Sequence, residues 1–322
     1  MYFSKKNNFY HGIMFHHFHD GNVYKKGQGS INKNDFYKLI KFIGRKNILD
    51  ADQFFMRFKE NKLTSKNVCL TFDDSLKCQY HVALPVLEDL NIKSFFFIHS
   101  SILQKNYTPP EFYRYFRLNY YKNINLFYDS FFKLIDADLP KFFNKTKSLI
   151  NIKKKKFPFY SLNDIKFRLV RDELLGEKKY EKIMFKMFKM KNFKPKKVYD
   201  SLFLNKKNLL EMKQLGHLIG LHSHSHPMIM EKLTYVDQKN EYKKNIDILS
   251  KTLNCSKKEL KYMAHPSGSY NSSTLQILKN FGVELGFKQI MVIEREKKMK
   301  KINNSFLEIA RQDSAGIMKR IK

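Results

Sequence analysis

An α/β fold built on a mostly parallel sheet is what this sequence predicts. Short apolar runs bounded by polar loops alternate with longer helical patterns, the mark of βα units. With 322 residues, 43% of them hydrophobic, the chain can bury the core of one large domain, or of a domain with an insertion, and global disorder is excluded. The groups suited to chemistry also follow directly after apolar runs, where barrel-type α/β folds place their sites.

Taken in order, strands are expected at Gly12–Phe15, Val68–Phe72, Ser94–Ile98, Leu218–Leu221, Tyr262–Ala264 and Val283–Phe287. Helical patterns follow several of them, at Asp35–Ile43, Cys78–Leu90, Tyr235–Leu253 and Ser272–Phe281. Asn34 offers an N-cap to the first helix and Gly282 a C-cap to the last.

The alternation stops between residues 105 and 205, in a stretch rich in Phe, Tyr and Lys that reads as several helices interrupted by Pro140, Pro158 and Pro195. It is too long for an ordinary loop and about the size of a small domain. Residues 1–104 and 205–322 are therefore assigned to the α/β domain, and 105–204 to a helical insertion, a lid or a partner surface. Arg114, Arg117, Tyr120 and Tyr121 lie there at helical spacing, but most of its aromatics read as the insertion's own core. The Lys153–Lys156 run reads as a solvated loop.

The formal charge is +31, with 30 Phe, 18 Tyr and no Trp. So basic a surface suits an anionic partner, yet Lys, Asn, Ile and Phe are enriched along the whole chain, so a compositional bias explains it equally well. No nucleic-acid-reading motif accompanies the charge, and no nucleic acid is expected. Cys69, Cys78 and Cys255 form no CxxC pair and leave one thiol over in any disulfide scheme, which suits a reducing compartment. The N-terminal stretch has positive charge but no sustained apolar region, and the best apolar run, IKSFFFIH, reads as a buried strand. A cytoplasmic location is expected.

Three segments carry chemistry. Val68–Phe72 ends abruptly in two carboxylates, Asp73 and Asp74; one can hold a metal while the other handles a proton, although Asp-Asp after a strand is often only a turn and helix cap. In Gly220–Pro227, three of the eleven histidines fall within five residues. His222 and His226, at i and i+4, can converge on one ion, and with a carboxylate they make a two-His, one-carboxylate set with open positions. His224 points the other way and reads as a structural residue. Met263–Asn271 brings a Pro-x-Gly turn (Pro266, Ser267, Gly268) whose rigid backbone can present an amide to an oxyanion, or simply connect.

Asp-Asp, His-x3-His and Pro-x-Gly, each after a strand and in this order, resemble the polysaccharide deacetylases, which share the NodB homology domain and form carbohydrate esterase family 4. The resemblance spans about Gly12–Ser100 and Asn205–Ser314. TFDDS is similar to the family's TFDD segment, with Ser75 where glycine is usual; HSHSHP is similar to its metal motif; AHPSGSY is similar to its R-x-P-Y-G motif. The resemblance implies a distorted, incomplete (β/α) barrel with a helical insertion. It also implies a hydrolase that removes an acetyl group from an amino sugar or glycan; the basic surface adds the expectation of an anionic or lipid-linked glycan and of peripheral membrane contact. On it, Asp73 is the general base, and Asp74, His222 and His226 hold one divalent metal, zinc first, with cobalt or nickel as alternatives.

Two departures matter. Ala264 and Ser267 stand where many members have an arginine that orients the base and a tyrosine. Arg311, in Ile309–Asp313, resembles a late arginine segment of one branch and is the candidate for the missing cation, against the plain alternative of a surface arginine. It joins Pro266, Ser267 and Gly268 as substrate or oxyanion candidates. In the usual order a catalytic histidine lies near the C-terminus, yet His265 is the last histidine here. Ile13–His17 resembles the [LM]-x-Y-H segment of the poly-N-acetylglucosamine deacetylase branch, whose motif order is circularly permuted. That resemblance implies His16 as general acid, with His265 its rival and a histidine-rich loop (His11, His16, His17, His19) as the bland alternative. An inactive glycan-binding protein of the same fold and another metal-dependent hydrolase, such as a phosphoesterase, stay open.

Overall fold

The structure is a computed structural model that describes residues 2–3, 9–104, 111–156, 160–289 and 302–321. It divides into two compact units, one of Met1–Tyr24, Ser30–Tyr107 and Asp200–Lys322, the other of Lys25–Gly29 and Thr108–Tyr199.

Among the described residues the first unit holds one sheet of seven strands: β1 (His11–Phe15), β2 (Val68–Phe72), β3 (Phe95–Ile98), β4 (Leu218–Leu221), β5 (Tyr262–Ala264), β6 (Leu285–Phe287) and β7 (Arg311–Asp313). Their order is β6-β5-β4-β3-β2-β1-β7 and every pairing is parallel. The open side is nearly closed by the segment before β7: Ile309 bridges Phe287, and the Gly286 N–H donates to the Phe306 carbonyl. Glycine is required there, since a Cβ on Gly286 would lie 2.8 Å from the Leu307 backbone. The result is a nearly closed (β/α) barrel of the NodB type.

Both faces of the sheet are covered, which is why its central strands β2, β3 and β4 are mainly apolar and do not alternate. Phe95 and Phe97 face a cluster with Cys69, Ala264, Leu285, Phe287 and Ile309. Phe96, on the opposite face, stacks on Phe72 at 4.5 Å, and Phe72 on Phe15 at 5.0 Å. The helix Lys33–Ile43 sets Phe36 edge-on to Phe15.

Local details differ from the sequence reading. Asn32, not Asn34, caps Lys33–Ile43, because its side chain is the one that accepts the Asp35 N–H, at 2.8 Å. The stretch read as a helix over Cys78–Leu90 begins as a π-helical turn, Gln79–Ala83, before the α-helix Leu84–Asp89. β6 starts at Leu285, and β7 has no counterpart among the expected strands, being short and wholly charged and polar.

The second unit, among the described residues, is helical: Glu111–Asn119, Ile124–Phe132, Leu139–Lys145, Lys147–Lys156, Leu162–Leu169 and Gly176–Met190. Pro140 and Pro195 lie in first turns, where a missing N–H costs nothing, so they start helices; Pro158 lies outside the described residues. The lysine run expected in a loop is the last turn of Lys147–Lys156. Arg114 and Arg117 belong to Glu111–Asn119, with Tyr120 and Tyr121 just beyond it. Phe116, Phe127, Phe131, Phe167 and Tyr180 pack as the core, and Arg117 lies over the Phe127 and Phe167 rings. Buried Asp164 accepts from Tyr128 at 2.9 Å and from Arg168 at 2.9 Å, so its charge is paired.

Candidate active site

The parallel order brings the C-terminal ends of β1, β2, β4, β5 and β7 to one rim of the barrel, and the motifs sit there. His16 follows β1, Asp73 and Asp74 follow β2, His222–His226 follow β4, and Pro266–Gly268 follow β5.

Ligand atoms of Asp74, His222 and His226 all lie within 4.8 Å of one another. Asp74 Oδ1 is 3.3 Å from His222 Nε2 and 3.2 Å from His226 Nε2, yet it is buried without a hydrogen bond of sound geometry among the described residues. An acceptor so placed between two imidazole nitrogens fits a shared cation better than a hydrogen-bonded network. Burial opposes ionisation of Asp74, but the two imidazoles hold its carboxyl well below the ordinary range. The His222 ring is fixed from behind: Nδ1 lies 2.8 Å from the Ala264 carbonyl, so Nδ1 carries the hydrogen and Nε2 presents its lone pair. Thus position 264 contributes its carbonyl here, while its side chain is buried in the core.

The backbone at this rim is strained. Of nine non-glycine residues with positive φ among the described residues, the four asparagines lie outside the site, but Asp74 (71°), Ser75 (60°), Ser223 (61°), His226 (55°) and Ser267 (53°) all lie in the motifs. Ser75 occupies a conformation that glycine adopts without cost, which accounts for glycine at this place in the family. Its hydroxyl accepts the His99 N–H at 3.1 Å, a contact no glycine makes.

Asp73 is 2% exposed, and Arg311, 0% exposed, donates to its Oδ1 from Nη1 at 2.7 Å. The same nitrogen reaches Thr71 Oγ1 at 3.3 Å, and Nε donates to the Lys288 carbonyl. Arg311 is therefore not a surface residue, and its guanidinium meets the Asp73 carboxylate rather than the open rim. It crosses the sheet over Gly12, where a Cβ would lie 2.9 Å from Arg311 Cγ. Burial alone would raise the Asp73 carboxyl, but its neighbours, the Arg311 guanidinium foremost, hold it below its ordinary value.

His16, a quarter exposed, has Nε2 3.8 Å from Asp73 Oδ2 and 4.0 Å from Asp74 Oδ2. Asp313, buried on the neighbouring β7, lies within electrostatic reach of it; burial raises the Asp313 carboxyl and His16 works against that rise. The rival is turned away. His265 is buried, with Nε2 2.9 Å from the Leu307 carbonyl and its ring stacked on Tyr270 at 4.1 Å, and burial depresses it to about 4. His224 stands outside the ligand trio, with Nδ1 3.0 Å from the Ser100 hydroxyl. His11 points to the strand's other end, bonded to Tyr2 and Phe9, and Nδ1 of His19 meets Ser30.

The Pro-x-Gly turn differs from expectation. The Gly268 N–H donates to the His265 carbonyl and the Ser269 N–H to Pro266, so Gly268 has no amide to offer an oxyanion. Ser267 is the residue of this turn whose side chain is exposed.

Several supporting residues escape sequence reasoning. Glu241 accepts from the His224 and Ser225 amides and holds the histidine loop. Asn245, fully buried, accepts the His222 N–H and donates to the Ile98 carbonyl, tying β3 to β4. His99 packs edge-on to His226 at 5.8 Å. Gln79 donates to the carbonyls of His16 and Asp73. The contacts of Glu241 and Asn245 span 16 to 147 residues of sequence, so spacing carries no signal for them.

Residues 176–286 match the family model for polysaccharide deacetylase, a span that holds His222, His226 and the Pro-x-Gly turn but neither His16, Asp73, Asp74 nor Arg311. No curated protein matches the chain. Among solved structures the chain is similar to a Streptococcus pyogenes deacetylase, PplD, at 18% identity and a TM-score of 0.54, covering 97% of both chains. A de-N-acetylase from Aggregatibacter actinomycetemcomitans gives 14% identity and a TM-score of 0.55, over 97% of this chain and 99% of that one. IcaB from Ammonifex degensii gives 12% and 0.55, over 98% and 97%. At such identities the likeness speaks for the fold. Residues 176–286 are thus similar in sequence to the polysaccharide deacetylase family, and the whole chain shares the fold of these solved structures.

Proposed function

We propose that this chain is a metal-dependent hydrolase that removes the N-acetyl group from an amino sugar within a glycan. The observation that carries the reading is the convergence, at one rim, of a cation-shaped trio (Asp74, His222, His226) with an Arg311-paired carboxylate and a histidine 3.8 Å from that carboxylate.

A divalent ion held by Asp74, His222 and His226, zinc by its fit to a nitrogen-rich set, supplies a Lewis acid that polarises the amide carbonyl and acidifies water. The chain's own residues do the rest. Asp73, kept ionised by Arg311, accepts the proton of the attacking water. His16 donates a proton to the departing amine nitrogen, for which its exposure on the open side of the two carboxylates suits it. Ser267, at the exposed lip of the turn, is the candidate contact for the acetyl oxygen or the sugar. The position of His16 directly after the first strand supports the circularly permuted branch.

The streptococcal neighbour was solved in complex with acetate, the product this reaction would release. Among the described residues no disulfide joins the cysteines, in keeping with a reducing, cytoplasmic setting. The anionic and lipid-linked character of the glycan is supported by the +31 charge alone. Ser267, standing where the family has tyrosine, favours the second reading, a glycan-binding protein without turnover.

The test is acetate release from a panel of N-acetylated sugars, free, polymeric and lipid-linked, with chelator-stripped protein as control. Metal-restored release supports the reading. Tight glycan binding with no release at any metal loading replaces it with the second, and phosphate-ester hydrolysis alone replaces it with a phosphoesterase.

A further inference from the structure

The strand pair that delivers the proton-transfer residues stops hydrogen bonding at the point where they begin. The last rung between β1 and β2 is the Asp73 N–H to the Phe15 carbonyl, at 3.1 Å. Beyond it the two chains need another tie, since buried carbonyls left without donors are costly. Gln79, 0% exposed, lies where that tie is needed: its Nε2 donates to the His16 carbonyl at 2.9 Å and to the Asp73 carbonyl at 2.6 Å. The carboxamide nitrogen has two hydrogens, so it serves both acceptors at once. A carboxylate of the same shape would set lone pairs against both carbonyls.

The local backbone is arranged to make this reach. The Gln79 N–H closes a turn onto the Leu76 carbonyl, and Gln79 opens a π-helical turn, a wider coil found mostly at functional sites. Its neighbour Cys78 takes the Phe18 N–H on Sγ at 3.4 Å, so consecutive side chains grip the outgoing end of β1 at two points. None of the proposed metal ligands is bonded to the Gln79 side chain.

We propose that Gln79 is a positioning residue that sets the separation of His16 from Asp73, and so the geometry of proton transfer across the site. The inference deepens the deacetylase reading and rests on it. It commits to a division of labour: the metal trio is held by Glu241, Asn245 and the Ala264 carbonyl, and the acid–base pair by Gln79.

The test is Gln79→Met, which keeps volume and removes both donors, beside Gln79→Asn, which keeps the amide but is a methylene too short to reach both carbonyls. Turnover of the acetylated sugar is expected to fall about 100-fold in the Met variant, the cost of roughly 1 Å of misplacement, and by less in the Asn variant. KM and zinc affinity by chelator competition are expected to stay within about threefold of wild type, since binding and metal contacts are untouched. A crystal structure of either variant is expected to show His16 Nε2 farther from Asp73 Oδ2 than 3.8 Å. Wild-type turnover in both variants, or zinc affinity falling in step with turnover, overturns the proposal. Should the Met variant fail to fold, the Asn variant and its crystal structure decide. Should the wild-type protein release no acetate from any sugar, the deacetylase reading falls by itself. The His16–Asp73 separation in the variants then judges Gln79: an unchanged distance rejects it and an opened one supports it.

Discussion

Replacing Arg311 with methionine isolates the interaction that holds the Asp73 carboxylate, the proposed base. Both partners are buried, with side chains 1% and 3% exposed, and their atoms are 2.7 Å apart. At an effective dielectric of about 20 that separation corresponds to about 6 kcal/mol of attraction. Desolvation of both ions offsets much of it, so the pair's net contribution is smaller. Removing one partner, however, strands the other: Asp73 would keep its desolvation cost without its counter-charge, a loss of about 3–5 kcal/mol. Denaturant unfolding of chelator-stripped protein, followed by tyrosine circular dichroism, measures this. Adding Asp73→Asn to Arg311→Met should recover most of it, because two neutral groups of similar shape then replace the pair. With Arg311 gone, the Asp73 carboxyl should also rise, moving the acid limb of the pH–turnover profile to higher pH. The reasoning fails if Arg311→Met costs under about 1 kcal/mol, or if the double variant loses the sum of both single losses.

Four further outcomes are expected. His222→Ala should abolish zinc binding and activity while His224→Ala keeps most of the metal; loss of the ion in the His224 variant, by elemental analysis, would mean the wrong ligands were chosen. Asp73→Asn should keep the metal and lose about 10²–10⁴-fold in turnover, whereas metal loss would make Asp73 a ligand. His16→Ala should harm an acetamide far more than an activated ester of similar shape, because only the amine needs a proton to leave; equal losses would remove His16 as the acid. His11, buried neutral and depressed to about 4, binds its proton more weakly folded than unfolded. Its contribution is therefore complete above about pH 6.5 and lost as pH falls toward 4, about 3 kcal/mol in all, so His11→Gln should flatten that part of the stability–pH curve.

The sequence determined the strands and the motifs at their ends, because both are local. A run such as Phe95–Ile98 is buried on both faces of a parallel sheet and declares it by being wholly apolar. A residue just past a strand inherits that strand's rim, so Asp73, Asp74, His222 and His226 share a rim once the sheet is parallel. β7 was illegible because Arg311-Gln312-Asp313 has no apolar signature; it is a strand only because β1 and Ile309 supply its surroundings. For the same reason Arg311, which sequence leaves open to a surface reading, takes its role from a carboxylate 238 residues away. Gly268 lost its oxyanion role to a hydrogen bond inside its own turn, and His265 its claim to proton transfer to a carbonyl 42 residues on. Composition and spacing report what a residue can do; the direction of a side chain and the partner that neutralises it are fixed by distant segments. Only the folded barrel brings those segments within hydrogen-bonding distance, where the low dielectric makes a charge or an unpaired carbonyl decisive.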